Sequence, residues 1–174
     1  MTVLVAGIGN IFRSDDGFGV EVARRLAASD GPALPEHAEL VDIGIRGMHL
    51  AYQLLDGYAA LVLIDATARG GAPGELYLLQ HDLTATPPPA EGTVPDAHDM
   101  TPDAVLGLLG SLSAAAGLGP TAGLRRVLVV GCEPATTADG IGLSAPVASA
   151  VDRAATATVG LATDLLTELE PTAT

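Results

Sequence analysis

Two aspartates and one histidine are the residues of this chain best suited to chemistry. Asp16 follows an apolar run and a glycine-rich turn, Asp65 closes the run Leu61-Val62-Leu63-Ile64, and His98 stands in Asp96-Ala97-His98-Asp99 ahead of a helix-like stretch. Open sheets built from alternating strands and helices bind their ligands beyond the carboxyl ends of the strands. Three such positions, far apart in sequence, can therefore meet on one edge. Two carboxylate oxygens and one imidazole nitrogen make a divalent metal site with open positions. Each residue alone also has a plainer reading. An Asp after a strand is commonly a helix cap or a solvated turn, and a His in a polar loop is commonly exposed.

Competing chemistries fit less well. Gly7-Ile8-Gly9-Asn10 invites a dinucleotide-binding reading, but the position of the third glycine holds Phe12, and Asp15 and Asp16 follow. Two carboxylates repel a pyrophosphate from the helix start that should receive it. The chain has no lysine, so a phosphate-binding loop is excluded. Cys132 follows an apolar strand, where a free thiol behaves as a small hydrophobe. Ser144 lacks a nucleophile-elbow context and reads as a helix cap. His37, His49 and His81 read as surface or structural residues. Glu133, after the same strand as Cys132, either supports the site from behind or is a turn residue. Gly7, Gly9 and Gly19 serve turns and close packing.

The elements that must position these residues alternate in type. Val3 to Ile8, Glu39 to Ile43, Leu61 to Ile64, Glu75 to Leu79 and Val127 to Gly131 read as strands. Asp65 is expected to stop the third of them. Ser14 is expected to cap a helix that starts at Asp15 and Asp16, carries Val20, Ala23 and Ala27 on one side, and ends near Ser29 to Pro35. Gly47 to Leu55 reads as a short helix, and Thr101 and Pro102 open another that runs through Ala116. Ser144 opens a last helix reaching about Leu169. Pro87, Pro88, Pro89 and Pro95 make Thr84 to His98 a loop. The expected fold is α/β: a three-layer sandwich with a mainly parallel, twisted sheet of about five strands flanked by helices. Residues 1–174 form one domain, with the tail after 170 outside the ordered part.

Composition sets the remaining bounds. The 174 residues carry 21 acidic against 8 basic side chains, a net charge of −13, which argues against a nucleic-acid partner. Apolar residues make up 48%, and with no Trp and only two Phe the core must be aliphatic. One cysteine excludes an internal disulfide and fits a reducing compartment. Ala104 to Leu124 is uncharged but interrupted by glycines and Pro120, so it reads as a buried helix and loop rather than a membrane span. No basic leader opens the chain. These features predict a cytoplasmic protein.

The residues also resemble a known family. Val3 to Ala6, Gly7-Ile8-Gly9-Asn10 and Asp15-Asp16-Gly17-Phe18-Gly19-Val20 resemble the opening of the nickel–iron hydrogenase maturation endopeptidases: a strand, then G-x-G-N, then D-[DE]-x-x-G-V. Further pieces follow in the family's order. Asp42-Ile43-Gly44-Ile45-Arg46-Gly47-Met48 resembles its second-strand loop and Leu63-Ile64-Asp65-Ala66 its apolar strand ending in Asp. Asp96-Ala97-His98-Asp99 resembles the segment of its histidine, Val130-Gly131-Cys132-Glu133-Pro134 its late turn, and Gly142-Leu143-Ser144 its last-helix start. The resemblance spans nearly the whole chain. The second-strand loop departs from a common D-G-G-T form, with Ile43 and Ile45 replacing the first glycine and the threonine.

The resemblance implies an endopeptidase that removes a C-terminal extension from the [NiFe] hydrogenase large-subunit precursor once nickel is inserted. Asp16, Asp65 and His98 would contact the metal. Nickel would come with the substrate, and no tightly held cofactor is expected. For the hydrolytic step two readings stay open: the docked metal polarises the carbonyl or activates water, or Asp16 or Asp65 acts as general base. A rival reading makes the chain a non-enzymatic, nickel-dependent docking chaperone; a weaker one makes it a nucleotide-binding module. A monomer is expected.

Overall fold

In a computed structural model the described residues are 1–83, 101–119 and 121–169. Five strands form one sheet: β1 (Val3–Ile8), β2 (Ala38–Gly44), β3 (Ala60–Ala66), β4 (Leu76–His81) and β5 (Arg126–Cys132). Their order is β2-β1-β3-β5-β4, and every neighbouring pair is parallel except β4 with β5. The centre is β1 and β3, whose registers pair Val3 with Ala60 and Gly7 with Ile64. Both are buried on both faces, which is why their apolar runs do not alternate.

Helices cover the two faces. α1 (Phe18–Ala27) and α5 (Val151–Leu169) pack on one, closing a core that includes Val3, Val5, Phe18, Val22, Val62 and Leu165. α2 (Gly47–Leu54) and α3 (Pro102–Ala115) pack on the other over Leu4, Ala6, Leu61, Leu63 and Leu109. Alternate residues of one strand thus feed opposite cores. The expected mainly parallel five-strand sheet flanked by helices is therefore observed. α3 is 14 residues long, and among the described residues no helix is long and apolar enough to cross a membrane. Thr101 caps it as expected, its hydroxyl accepting from the Ala104 N–H at 3.3 Å.

Several local expectations are corrected. Ser14 does not cap a helix starting at Asp15. It sits at φ +48° and its hydroxyl donates to the Ala138 carbonyl at 3.0 Å. Ser14–Gly17 instead forms one 3-10 turn, and α1 begins at Phe18. α1 ends at Ala27, and its buried stripe includes Val20 and Ala23 while Ala27 is exposed. Asp65 does not stop β3; it pairs with Gly131, and Ala66 pairs with Cys132. The last helix is divided into α4 (Ala145–Ala148) and α5, because the Ala150 N–H turns back to the Val147 carbonyl three residues away. The proline-rich stretch from 84 to 98 and the tail after 170 lie outside the described residues.

Candidate functional site

The carboxyl ends of β1 and β3 are brought together by glycines. At Gly19, on the first turn of α1, a Cβ would fall 2.1 Å from the Ile64 carbonyl and 2.3 Å from the Ile8 carbonyl. Only a residue without a side chain lets the helix rest directly on both strand ends. Gly9 answers from the other side. Its φ is +132°, and a Cβ there would lie 1.9 Å from the Asp16 carbonyl. The chain therefore folds back after β1, and the 3-10 turn is pressed against the end of β3.

Asp15 and Asp16 leave that turn in opposite senses. Asp15 is fully buried and accepts from the Ser144 N–H (2.6 Å), the Ser144 hydroxyl (2.8 Å), the Ala135 N–H (2.8 Å) and the Thr136 N–H (3.2 Å). Burial opposes its charge, but these hydrogen bonds outweigh burial and hold the carboxyl below the usual carboxylate range. It ties the first turn to the loop after β5. Asp16 is half-buried, and its carboxylate accepts from the Asn10 N–H at 2.9 Å. Its charge acts on Asp65. Burial first, and then Asp16, push the Asp65 carboxyl up to about 8 against a pull from the Ala66 N–H. Two carboxylates near enough for one charge to act on the other are stabilised by a shared proton or by a cation.

Asp65 also lines an open cleft of about 720 Å³ that runs between β4 and the start of α3. Thr67 and Arg69 from the loop after β3, His81 from β4, and Thr101 and Asp103 from α3 share its wall. His98 lies outside the described residues; Thr101, three positions on in the sequence, lines the same cleft as Asp65. Among the described residues, no three His, Cys, Asp or Glu side chains form a set that could hold a metal ion. Asp16 and Asp65 supply at most two of the three expected ligands.

A family model described as HycI, hydrogenase maturation protease, matches residues 20–160 of this sequence. The chain belongs to the hydrogenase maturation protease family. It is 30% identical over 153 residues to the hydrogenase expression/formation protein HupD of Rhizobium leguminosarum bv. viciae, covering 87% of this chain and 69% of that protein. It is 40% identical over 80 residues to HupD of Rhodobacter capsulatus, where the match spans only 37% of the relative and 46% of this chain. Its fold is similar to that of the hydrogenase maturating endopeptidase HybD from Escherichia coli, with a TM-score of 0.69, 25% identity, and coverage of 94% of this chain and 93% of that one.

In this member of the hydrogenase maturation protease family the other nucleophile candidates have structural duties. Cys132 is fully buried, and burial, then the Asp15 charge, push its thiol up to about 11. Ser144 precedes α4, but its side chain caps nothing; it donates to Asp15. His37 and His49 are exposed. His81 is mostly buried, with Nε2 3.5 Å from Asp103.

Asp15 escaped the sequence reading, and Glu133 entered it only as one of two alternatives. Asp15 looked like a first-turn acid, and its partners at positions 135, 136 and 144 are too distant in sequence to suggest themselves. Glu133 is more than a turn residue. It accepts from the Arg69 N–H (2.7 Å), the Gly70 N–H (3.2 Å) and the Tyr77 hydroxyl (2.8 Å). The Arg69 N–H contributes most to holding its carboxyl below the usual range, against burial. One available signal was Gly70-Gly71 beside a lone arginine four residues after Asp65, a loop that needs an acceptor to fix it.

Proposed function

We propose that this chain is an endopeptidase that removes the C-terminal extension of a nickel-loaded [NiFe] hydrogenase large-subunit precursor, with nickel in the substrate as the recognition signal. The observation that carries this reading is the placement of Asp16, in the 3-10 turn after β1, near enough to Asp65, at the end of β3, that its charge raises the proton affinity of Asp65. Such a pair is stabilised by a cation. Asp16, Asp65 and His98 would be its contacts, which is a hard-to-borderline set with open positions. A modest set of this kind docks on an ion already held by another protein rather than stripping it away. Affinity for the loaded precursor then exceeds affinity for the empty one.

The hydrolytic step follows from the same pair. A water oxygen attacks the scissile carbonyl carbon. Its proton passes to a carboxylate of the pair, which returns it to the leaving amine as the C–N bond breaks. Burial and the Asp16 charge raise the proton affinity of Asp65, which favours its accepting and returning that proton. Both carboxylates come from one chain, so a monomer suffices. Exposed Phe12, Ile45 and Ile141 lie on the loops after β1, β2 and β5, and exposed Met48 on the first turn of α2, around the same edge, and offer apolar contact to a protein-sized substrate.

The test is to incubate the protein with nickel-loaded and nickel-free precursor and weigh the products. Release of a C-terminal peptide from the loaded form alone is expected, reduced at least ~100-fold in Asp16→Asn. A stable complex with uncut precursor would replace the endopeptidase with a docking chaperone.

A further inference from the structure

All eight basic side chains are arginines. Seven of them place the guanidinium on a carboxylate, carbonyl or sulfur of a described residue. Among the described residues, Arg69 places its guanidinium on no carboxylate, carbonyl or sulfur. It lies instead on the wall of the cleft that Asp65 lines. Its guanidinium carbon sits 5.7 Å from the centroid of the Tyr77 ring. A cation held over an aromatic face is attracted to it without using its N–H donors.

One carboxylate holds both ends of Arg69. Glu133 accepts from the Arg69 main-chain N–H directly, and from the hydroxyl of the tyrosine under its guanidinium. An exposed arginine without such support would sweep through many rotamers. This one has its main chain tied to Glu133 and its guanidinium drawn to the Tyr77 ring, so less entropy is lost when it binds. The same cleft is lined by Asp103, whose charge disfavours a substrate carboxylate there. A peptide carbonyl is neutral, has two lone pairs, and accepts a charge-assisted hydrogen bond from a guanidinium.

We propose that Arg69 is a substrate-binding residue that grips a main-chain carbonyl of the peptide segment laid across Asp65. Glu133 and Tyr77 are its positioning residues. The inference rests on the endopeptidase reading and adds a contact that holds the substrate peptide in the cleft.

Steady-state cleavage of the nickel-loaded precursor is measured with the unaltered protein, Arg69→Ala, Arg69→Lys and Tyr77→Leu. Arg69→Ala is expected to raise KM about 10- to 50-fold, with kcat within threefold and Tm unchanged, as for loss of one charge-assisted hydrogen bond made alike in the bound and reacting states. Arg69→Lys is expected to recover part of the affinity, because it restores the charge without the planar fork. Tyr77→Leu is expected to raise KM with Arg69 intact. A KM for Arg69→Ala within twofold of the unaltered protein, while that protein cuts, overturns the assignment and leaves the endopeptidase reading standing. Failure of the unaltered protein to cut overturns both.

Discussion

At the scale of single residues, Asp15, Asp16 and Asp65 show how one side-chain type takes three roles from its surroundings. Asp15 is surrounded by donors and stays charged. Asp65 is enclosed near another carboxylate and is held protonated up to about pH 8. In the unfolded chain an aspartate titrates near ~3.9. Between those two values the folded protein binds a proton that the unfolded chain has released, so stability falls as pH rises from about 4 to about 8. Asp65→Asn keeps the shape and removes the ionisation. We expect it to melt higher than the unaltered protein at pH 8.5, by on the order of 5 °C, and at the same temperature at pH 4. Cleavage should be lost in the same variant. Thermal unfolding followed across that pH range checks this, and equal melting temperatures at both extremes would mean that Asp65 is not strained in the fold.

At the scale of elements, the approach of α1 to β1 and β3 decides where the carboxylates stand. Gly19 permits it. In Gly19→Ala the new Cβ meets two backbone carbonyls, neither of which can rotate away. The helix must lift, at a cost of about 3 kcal/mol, and the Asp16 turn lifts with it. Gly160→Ala is the control: a Cβ there, inside α5, meets nothing within 4 Å, so helix propensity alone should stabilise by about 0.5–1 kcal/mol. Urea titration of both variants should give opposite shifts in midpoint, with precursor cleavage reduced only in Gly19→Ala. The same elements show what could be read from sequence. β1 was bounded correctly because Val3 to Ile8 is unbroken, apolar and flanked by a turn. β3 was cut short at Asp65 because an acid inside a buried strand violates local preference, and such violations gather at functional positions. Ser14 was misread because its cap role depends on local chain, whereas its real partner is Ala138, 124 positions away. The final helix divides because Asp15 anchors Ser144 at one end while α5 lies along α1, a pair of demands visible only after folding. Asp16 and Asp65 stand out in the sequence as acids after apolar runs, and Glu133 as one of two alternatives; Arg69 does not, because its contact with Glu133 joins the loop after β3 to the end of β5.

At the scale of the whole molecule, the sheet gathers the loops after its parallel strands onto one edge. That edge is also where large apolar side chains are left in solvent. Phe12 is 64% exposed and Ile141 84% exposed, yet their loops are fixed to each other: the Gly140 N–H donates to the Phe12 carbonyl at 2.9 Å and the Ser14 N–H to the Gly140 carbonyl at 2.9 Å. Asp15 pins the same two loops from beneath. A pair of exposed hydrophobes on a braced support adds nothing to the fold and loses little entropy on contact with a partner. The double variant Phe12→Ser with Ile141→Ser should therefore keep its Tm within about 2 °C, since neither side chain is packed. Its association with the nickel-loaded precursor should weaken about 10- to 100-fold, because apolar area covered in the complex is worth on the order of 1–3 kcal/mol across the pair. Calorimetric titration of the precursor into the variant measures the loss, and cleavage at saturating precursor should recover the original kcat, because the carboxylate pair is untouched. An unchanged Kd would place the partner elsewhere on the molecule; a lowered kcat at saturation would mean that the braced loops set the position of Asp16 as well as the grip on the substrate.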